Sequence, residues 1–464
     1  MTWPGTDTLE RMSSHRAPHD EATPTTPSHA YLDQLHEEQA AAVATERHPG
    51  SAFAGAPAAL LTRLEQAVEA DSGAMVDLML DLAAHPEVAF EEHRSAAAIV
   101  AILAEHGIEA QLGVHGLDTA IRAEIHGEGE GPTLAVLSEY DALPGVGHGC
   151  GHNVIAVMGL GAFLAIHALA QEDPSAVPGT VVYLGTPAEE GHTGKEYMAR
   201  EGAFDGLDAA VMAHGYPAYD LADQVWLGRR TLKVTFHGHT AHASAQPFMG
   251  RNALDGASLM YQGVGLLRQQ TPPSDRLHAI ITEGGDRASV IPDVAVVEMY
   301  VRSQRPETLK DLSRRVEDVA RGAALMAGVG VSIDWDEHPP SLPVRTNQAL
   351  TGRWVESQRR RGRDPLPLGV VSPSLAASTD FGNVSYRLPG MHPLIQTSDA
   401  EAALHTREFA AQSTGSIARA AAADGAYGLA ATLLDVLHDP ALAAEVAGEF
   451  AAAGGAIDVP SYFD

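Results

Sequence analysis

Apolar residues at Leu60, Leu61, Leu64 and Val68 recur at helical spacing and mark the start of the folded region. A second helix is expected over residues 75–84, closed by Pro86, and a third over 92–105, with Gly107 as its stop. Then the period changes. Residues 119–125 and 133–138 read as strands about a turn-rich 127–132, and 153–170 reads as an apolar helix. Short β-branched or Ala/Val runs at 180–185 and 209–213 add strands. Strands alternating with helices predict an α/β fold, a mainly parallel sheet with helices on both faces.

From about residue 228 the pattern differs. Strands are expected at 230–237, 277–282, 294–302 and 329–335, with helices at 253–269 and 306–326. This reads as a smaller α+β unit interrupting the first domain. Residues 345–450 return to helices with one strand at 393–396. The expected division is an N-terminal extension (1–56), a first part (57–227), an inserted unit (228–342) and a second part (343–464). The extension is expected to be flexible because of its Pro18–Pro27 cluster, with a weak Ala-faced helix at 31–46.

The length of 464 residues suits two or three domains of roughly 100–200 residues each. Sixty acidic residues against 30 basic ones give a formal charge of −30, which repels phosphate backbones and argues against nucleic acid as a partner. A single cysteine, Cys150, excludes an intrachain disulfide and a Cys-cluster zinc site. No apolar run reads as long enough to span a bilayer, and residues 1–51 lack the apolar core of a signal peptide. A cytoplasmic chain without a membrane partner is expected.

The chemistry gathers at strand ends. Glu139-Tyr140-Asp141-Ala142-Leu143-Pro144 leads into Gly147-His148-Gly149-Cys150-Gly151-His152-Asn153, where a helix begins. Cys and His two residues apart suit zinc; the other reading is a buried cysteine beside a Gly-rich turn. The next strand runs into Thr186-Pro187-Ala188-Glu189-Glu190, where one carboxylate can bind a metal and its neighbour act as general base. The following strand reaches His214-Gly215. Ligands in open α/β sheets bind beyond the carboxyl ends of strands. Three successive strand ends carrying Cys/His, Glu/Glu and His favour a metal site.

These motifs, with His239-Thr240-Ala241-His242-Ala243-Ser244, Gly250-Arg251-Asn252-Ala253-Leu254, Val290-Ile291-Pro292, Ser378-Thr379-Asp380-Phe381-Gly382-Asn383 and His405, resemble the co-catalytic metallopeptidase family of carboxypeptidase G and the aminoacylases. The match is to its amidohydrolase branch, of the p-aminobenzoyl-glutamate hydrolase and Xaa-Arg dipeptidase kind. The resemblance implies two divalent ions, zinc first with manganese or cobalt as alternatives, bridged by Cys150. Glu190 and His405 would complete one site, and His152 and His214 the other. Glu189 would be the general base for attack by a metal-held hydroxide on an amide carbonyl, and Asp141 would steady a ligating imidazole. The inserted unit would be a lid and dimer interface, with His242 stabilising the oxyanion in the partner's site and Asn252 holding substrate. The implied substrate is an N-acyl amino acid, a dipeptide or a p-aminobenzoyl-glutamate-like amide. Two departures stand out: Glu139 sits where the wider family has a ligating His, and Ser289 where the branch more often has Asn.

Read from the residues alone, Arg302 ends a lid strand and is placed to pair with a substrate carboxylate, though a surface arginine fits the pattern equally. Two other functions compete: a hydrolase using Cys150 as nucleophile beside a histidine, and a silent binding or scaffold protein that keeps the fold.

Overall fold

A computed structural model describes residues 25–464; the flexibility expected of residues 1–24 lies outside the described residues. The chain divides into two compact units, one ending at Ala44 and the other spanning Thr45–Asp464. Among the described residues the first holds most of one helix, α1 (Ala30–Thr45), in which only Leu35 is buried. The expectation of a flexible extension fails for residues 45–56. Buried Asp435 accepts the Ala56 N–H at 2.7 Å, and Asp439 accepts that of Gly55 at 3.1 Å. Arg353 donates to the Phe53 carbonyl at 2.7 Å, and Arg359 to that of His48 at 2.6 Å. Composition could not reveal these partners, which lie some 300 residues further along the chain.

The larger unit opens with α2 (Ala58–Ala84) and α3 (His93–Glu105). The two helices expected across residues 60–84 are one. Gly73 is exposed, with no neighbour to disturb, and the about 1 kcal/mol that an interior glycine costs is offset by burying Leu64, Val68, Met75, Leu78 and Met79 along one face. The strands β1 (Ala110–Leu112), β2 (Ile121–His126), β3 (Thr133–Ser138), β4 (Thr180–Gly185) and β5 (Ala209–Val211) follow, with α4 (His152–Glu172) between β3 and β4. A short strand β6 (His214–Pro217) comes next.

The chain then enters a second hydrophobic core. Strands β7 (Gly228–His237), β8 (Arg276–Glu283), β9 (Val294–Ser303) and β10 (Gly330–Trp335) form an antiparallel sheet in the order β10-β7-β9-β8. Alternation puts Leu232, Val234 and Phe236 with Val297, Met299 and Val301 on one face, under α6 (Ala253–Leu267) and α7 (Pro306–Ala327). The opposite face carries Arg229, Thr231, Lys233, Glu298, Tyr300 and Arg302.

After β10 the chain rejoins the first core. Strand β11 (Gly390–Met391) completes the main sheet, ordered β1-β2-β4-β3-β5-β11, and β12 (Leu394–Ser398) pairs with β6. The β3/β4, β3/β5, β5/β11 and β6/β12 pairings are parallel, so the parallel expectation holds, with an antiparallel margin at β1 and β2. Five consecutive buried residues in both β3 and β4 show that both faces are covered. The reading that no apolar run reaches bilayer length needs correcting. Helix α4 and the later α11 (Ser416–His438) are long and apolar enough, but 89% and 83% of their apolar windows are buried inside the protein, as core helices are.

Candidate metal centre

Strand β3 ends at Ser138 and delivers Glu139, Tyr140 and Asp141 into the interior. The chain then turns through the glycines to start α4 at His152. Gly151 stands at φ +82°, a conformation that favours glycine, and a Cβ there would crowd the Phe409 ring at 3.2 Å. The turn aims Cys150 and His152 at one point. Strand β4 supplies Glu189 and Glu190 after Ala188, which is held at φ +59°. His405 (φ +65°) is pinned by its N–H to the Gly149 carbonyl at 2.7 Å. Such left-handed non-glycine positions cluster where function over-determines the backbone.

The side chains form two groups that share Cys150. Ligand atoms of Cys150, His152 and His214 lie within 4.8 Å of one another, and so do those of Cys150, Glu190 and His405. Cys150 Sγ is 3.6 Å from His214 Nε2, and His405 Nε2 is 3.7 Å from Glu190 Oε1. Each buried imidazole is oriented from behind. His152 Nδ1 lies 2.9 Å from both the Asp141 carboxylate and the Asp141 carbonyl, and His214 Nδ1 donates to the Gly215 carbonyl at 2.7 Å. Asp141 also accepts the Glu190 N–H at 2.9 Å, so one carboxylate positions two of the expected ligands.

The donor set fits divalent metal. His152 Nε2 and Glu190 Oε1 are buried with no hydrogen-bond partner, a costly state that a cation would relieve. Burial holds the His214 imidazole down to about 4, neutral and able to ligate. Burial, with the Glu190 carboxylate next in weight, pushes the Cys150 thiol well up, so without a cation it is no thiolate. Burial followed by Glu139 and Glu190 raises the Glu189 carboxyl well above the usual range. Glu189 Oε2 is 3.9 Å from His152 Nε2.

A third carboxylate group, Glu139, Glu189 and Asp380, carries its own cation. Lys195 Nζ donates to Glu139 and, at 2.6 Å, to Asp380, and its backbone N–H donates to Asp380 at 2.9 Å. Burial opposes the ammonium, but the two carboxylates raise it above the ordinary lysine value. Sequence reasoning missed Lys195 and Glu92, and quoted Asp380 within a motif without giving it a role. Glu92, entirely buried, accepts the N–H of strained Ala188 at 2.9 Å and the Thr119 hydroxyl at 2.9 Å. No local pattern marks Lys195 or Glu92; the one available signal was the scarcity of lysine, three in the chain.

A cavity of about 550 Å³ opens over the cluster, lined by Cys150, Glu189, Glu190, His214 and His405, and by Trp226, Arg229, Tyr300 and Arg302. Arg302 therefore reaches the cluster's cavity. His242 and Asn252 do not line it. His242 is exposed on its lid loop, and Asn252 caps α6, accepting the Leu254 N–H at 3.0 Å and donating to Asp255 at 2.9 Å.

Comparison with known proteins gives the family. Residues 135–423 match the model of "Peptidase family M20/M25/M40", a span that takes in all these strand-end residues. The chain belongs to the M20/M25/M40 peptidases. It is accordingly a hydrolase of amide bonds, as its sequence led us to expect. It is 34% identical over 411 residues to mouse Xaa-Arg dipeptidase, covering 87% of this chain and 94% of that one. It is 30% identical over 450 residues to a p-aminobenzoyl-glutamate hydrolase of Escherichia coli, covering 82% and 93%. The fold is shared with the crystal structure of the Bacillus subtilis YXEP protein, described as a dinuclear metal-binding peptidase of the M20 family (TM-score 0.62, 20% identity, 80% of this chain and 99% of that one). Two separate hydrophobic cores, the second formed by the segment inserted after β6, match the interrupted α/β architecture expected from the sequence.

Proposed function

We propose that this M20 peptidase is a dinuclear metal-dependent amidohydrolase that cleaves an N-acyl amino acid or a dipeptide. Cys150, His152 and His214 would hold one ion, and Cys150, Glu190 and His405 the other. The observation that carries the reading is the pair of ligand groups sharing one thiol, with Glu189 beside both. Thiolate and imidazole donors favour zinc, with manganese and cobalt as alternatives. When bound, such a pair polarises a carbonyl and lowers the pKa of water towards neutrality. Glu189 takes the proton of the attacking water and hands it to the leaving nitrogen. Asp141 keeps the His152 ring oriented, and Arg302 receives the carboxylate of the leaving amino acid.

His242 and Asn252 enter the reaction only when a second copy brings its lid over the cavity. Strand β8 lies at the edge of the lid sheet, with Ile280 and Ile281 exposed, and α6 exposes Tyr261 and Leu266, features of a surface that pairs with its own kind. A homodimer through residues 228–342 follows from this reading. The single cysteine, needed as a reduced ligand, supports a cytoplasmic setting.

The Cys150 nucleophile alternative runs against the field: burial and two neighbouring glutamates raise the thiol, whereas a nucleophilic thiol needs a lowered value. The test is mass-spectrometric turnover of a pool of N-acyl amino acids and dipeptides with and without chelator. Chelator-sensitive cleavage of one class supports the proposal. Cleavage that survives chelation and is abolished by thiol alkylation overturns it.

A further inference from the structure

The lid sheet presents arginines in a row. Arg229 on β7 and Arg302 on β9 are direct cross-strand partners, and Arg276 on β8 is the partner of Arg302 on its other side. Like charges directly opposite on one sheet face repel. Arg276 turns aside to the carbonyls of Pro273 and Asp275. Arg229 and Arg302 stay on the cavity wall next to Tyr300, with their guanidinium carbons 5.8 and 5.4 Å from its ring centroid. Neither forms an ion pair among the described residues, in a chain carrying twice as many acids as bases. The Arg302 guanidinium makes no hydrogen bond among the described residues, its backbone being paired in the sheet. Arg229 uses only Nη2, donating to the Thr193 hydroxyl at 3.0 Å and the Gly191 carbonyl at 3.2 Å. Two adjacent guanidinium groups, largely withdrawn from water and lacking counter-charge, form a site for a ligand that brings two negative charges.

Resting on the amidohydrolase reading, we propose that Arg229 is a specificity residue which, together with Arg302, selects amides whose leaving amino acid carries two carboxylates, aspartate or glutamate. Arg302 takes the α-carboxylate and Arg229 the side-chain carboxylate, two or three carbons away, a separation that suits opposed cross-strand side chains about 5 Å apart at the backbone. A basic leaving residue would bring a third cation to this wall. The class is therefore that of acidic amino-acid conjugates, even though one relative is named for arginine.

The experiment compares kcat/KM of the zinc- or manganese-loaded enzyme on one acyl group joined to Glu, Gln and Arg, for the parent and for Arg229→Gln. Binding of free glutamate against glutamine is measured in parallel by thermal shift. The expected result is a preference for Glu over Gln of roughly 10- to 100-fold, the range of a charge-assisted hydrogen bond, with most of that ratio lost in the variant. Equal turnover of the three amides by the parent overturns the proposal. So does an equal fall on Glu and Gln in the variant, which would make Arg229 only a support for the Gly191–Thr193 loop. If no amide is cleaved, the amidohydrolase reading fails separately: glutamate binding that is lost in Arg229→Gln still supports the dicarboxylate site, and absence of such binding overturns it.

Discussion

Replacing Lys195 by Met removes the one ammonium that contacts both Glu139 and Asp380; the other neighbouring base, His152, reaches only Glu139 of the two, at 3.4 Å. Lys195, Glu139 and Asp380 are all fully buried or nearly so, and the ammonium contacts both carboxylates. Met fills similar volume, so the cost is electrostatic rather than a cavity. Breaking a buried ion pair from one side costs about 3–5 kcal/mol. With an unfolding entropy of about 2.1 cal/mol/K per residue over the Thr45–Asp464 unit, this lowers Tm by roughly 3–6 °C. Scanning calorimetry on chelated enzyme, at pH 8 and again near pH 5, measures it free of metal linkage. In the variant the stranded carboxylates have raised pKa values. A carboxylate so raised favours folding while protonated and ceases to do so as pH rises through its folded pKa, so the deficit should be largest at pH 8 and shrink near pH 5. The double variant Lys195→Met/Asp380→Asn should recover part of the loss. A Lys195→Met protein as stable as the parent at pH 8 would show that Lys195 does not neutralise the buried carboxylates.

Glu92 offers a second pH test. Burial, reinforced by Asp141, raises its carboxyl to about 7, so the stability contributed by its neutral form is complete below about 4.5 and lost as pH rises through about 7, a span of roughly 3 kcal/mol. Glu92→Gln cannot ionise, so its Tm relative to the parent should climb between pH 5 and pH 8; a flat difference contradicts the assignment. Asp141→Asn should lower zinc affinity by about 10- to 100-fold in competition titrations, because it holds both His152 and the Glu190 backbone; unchanged affinity would remove its positioning role. Cys150→Ser should reduce the bound-metal stoichiometry measured by elemental analysis, since both ligand groups use this thiol; full occupancy of two ions would exclude it as the shared ligand.

Periodicity revealed most of the architecture because the elements are amphipathic or uniformly apolar. Strands β3 and β4 have the expected bounds, and the lid strands and helices lie within a few residues of theirs. Two things escaped. Strands β1, β6 and β11 are two to four residues long, too short for alternation to show. The tether of residues 45–56 depends on Arg353, Asp435 and Asp439, partners that only tertiary folding brings near. At the site, Cys150, His152, Glu189, Glu190 and His214 were visible because successive strand ends converge on one edge. His405 came from the family resemblance and has no such local signal. Lys195 and Glu92 act through contacts with distant segments. The Arg229–Arg302 pair needed the β7/β9 register to be recognised as a pair.

The role proposed for Glu189 is to move the proton during metal-dependent amide hydrolysis. The most direct measurement is kcat of Glu189→Gln on the substrate found by the turnover screen, with metal content measured on the same sample. A fall of about 100-fold or more at unchanged metal stoichiometry is expected, the range for removal of a general base. Parent-like turnover by a fully metallated Glu189→Gln enzyme would contradict it.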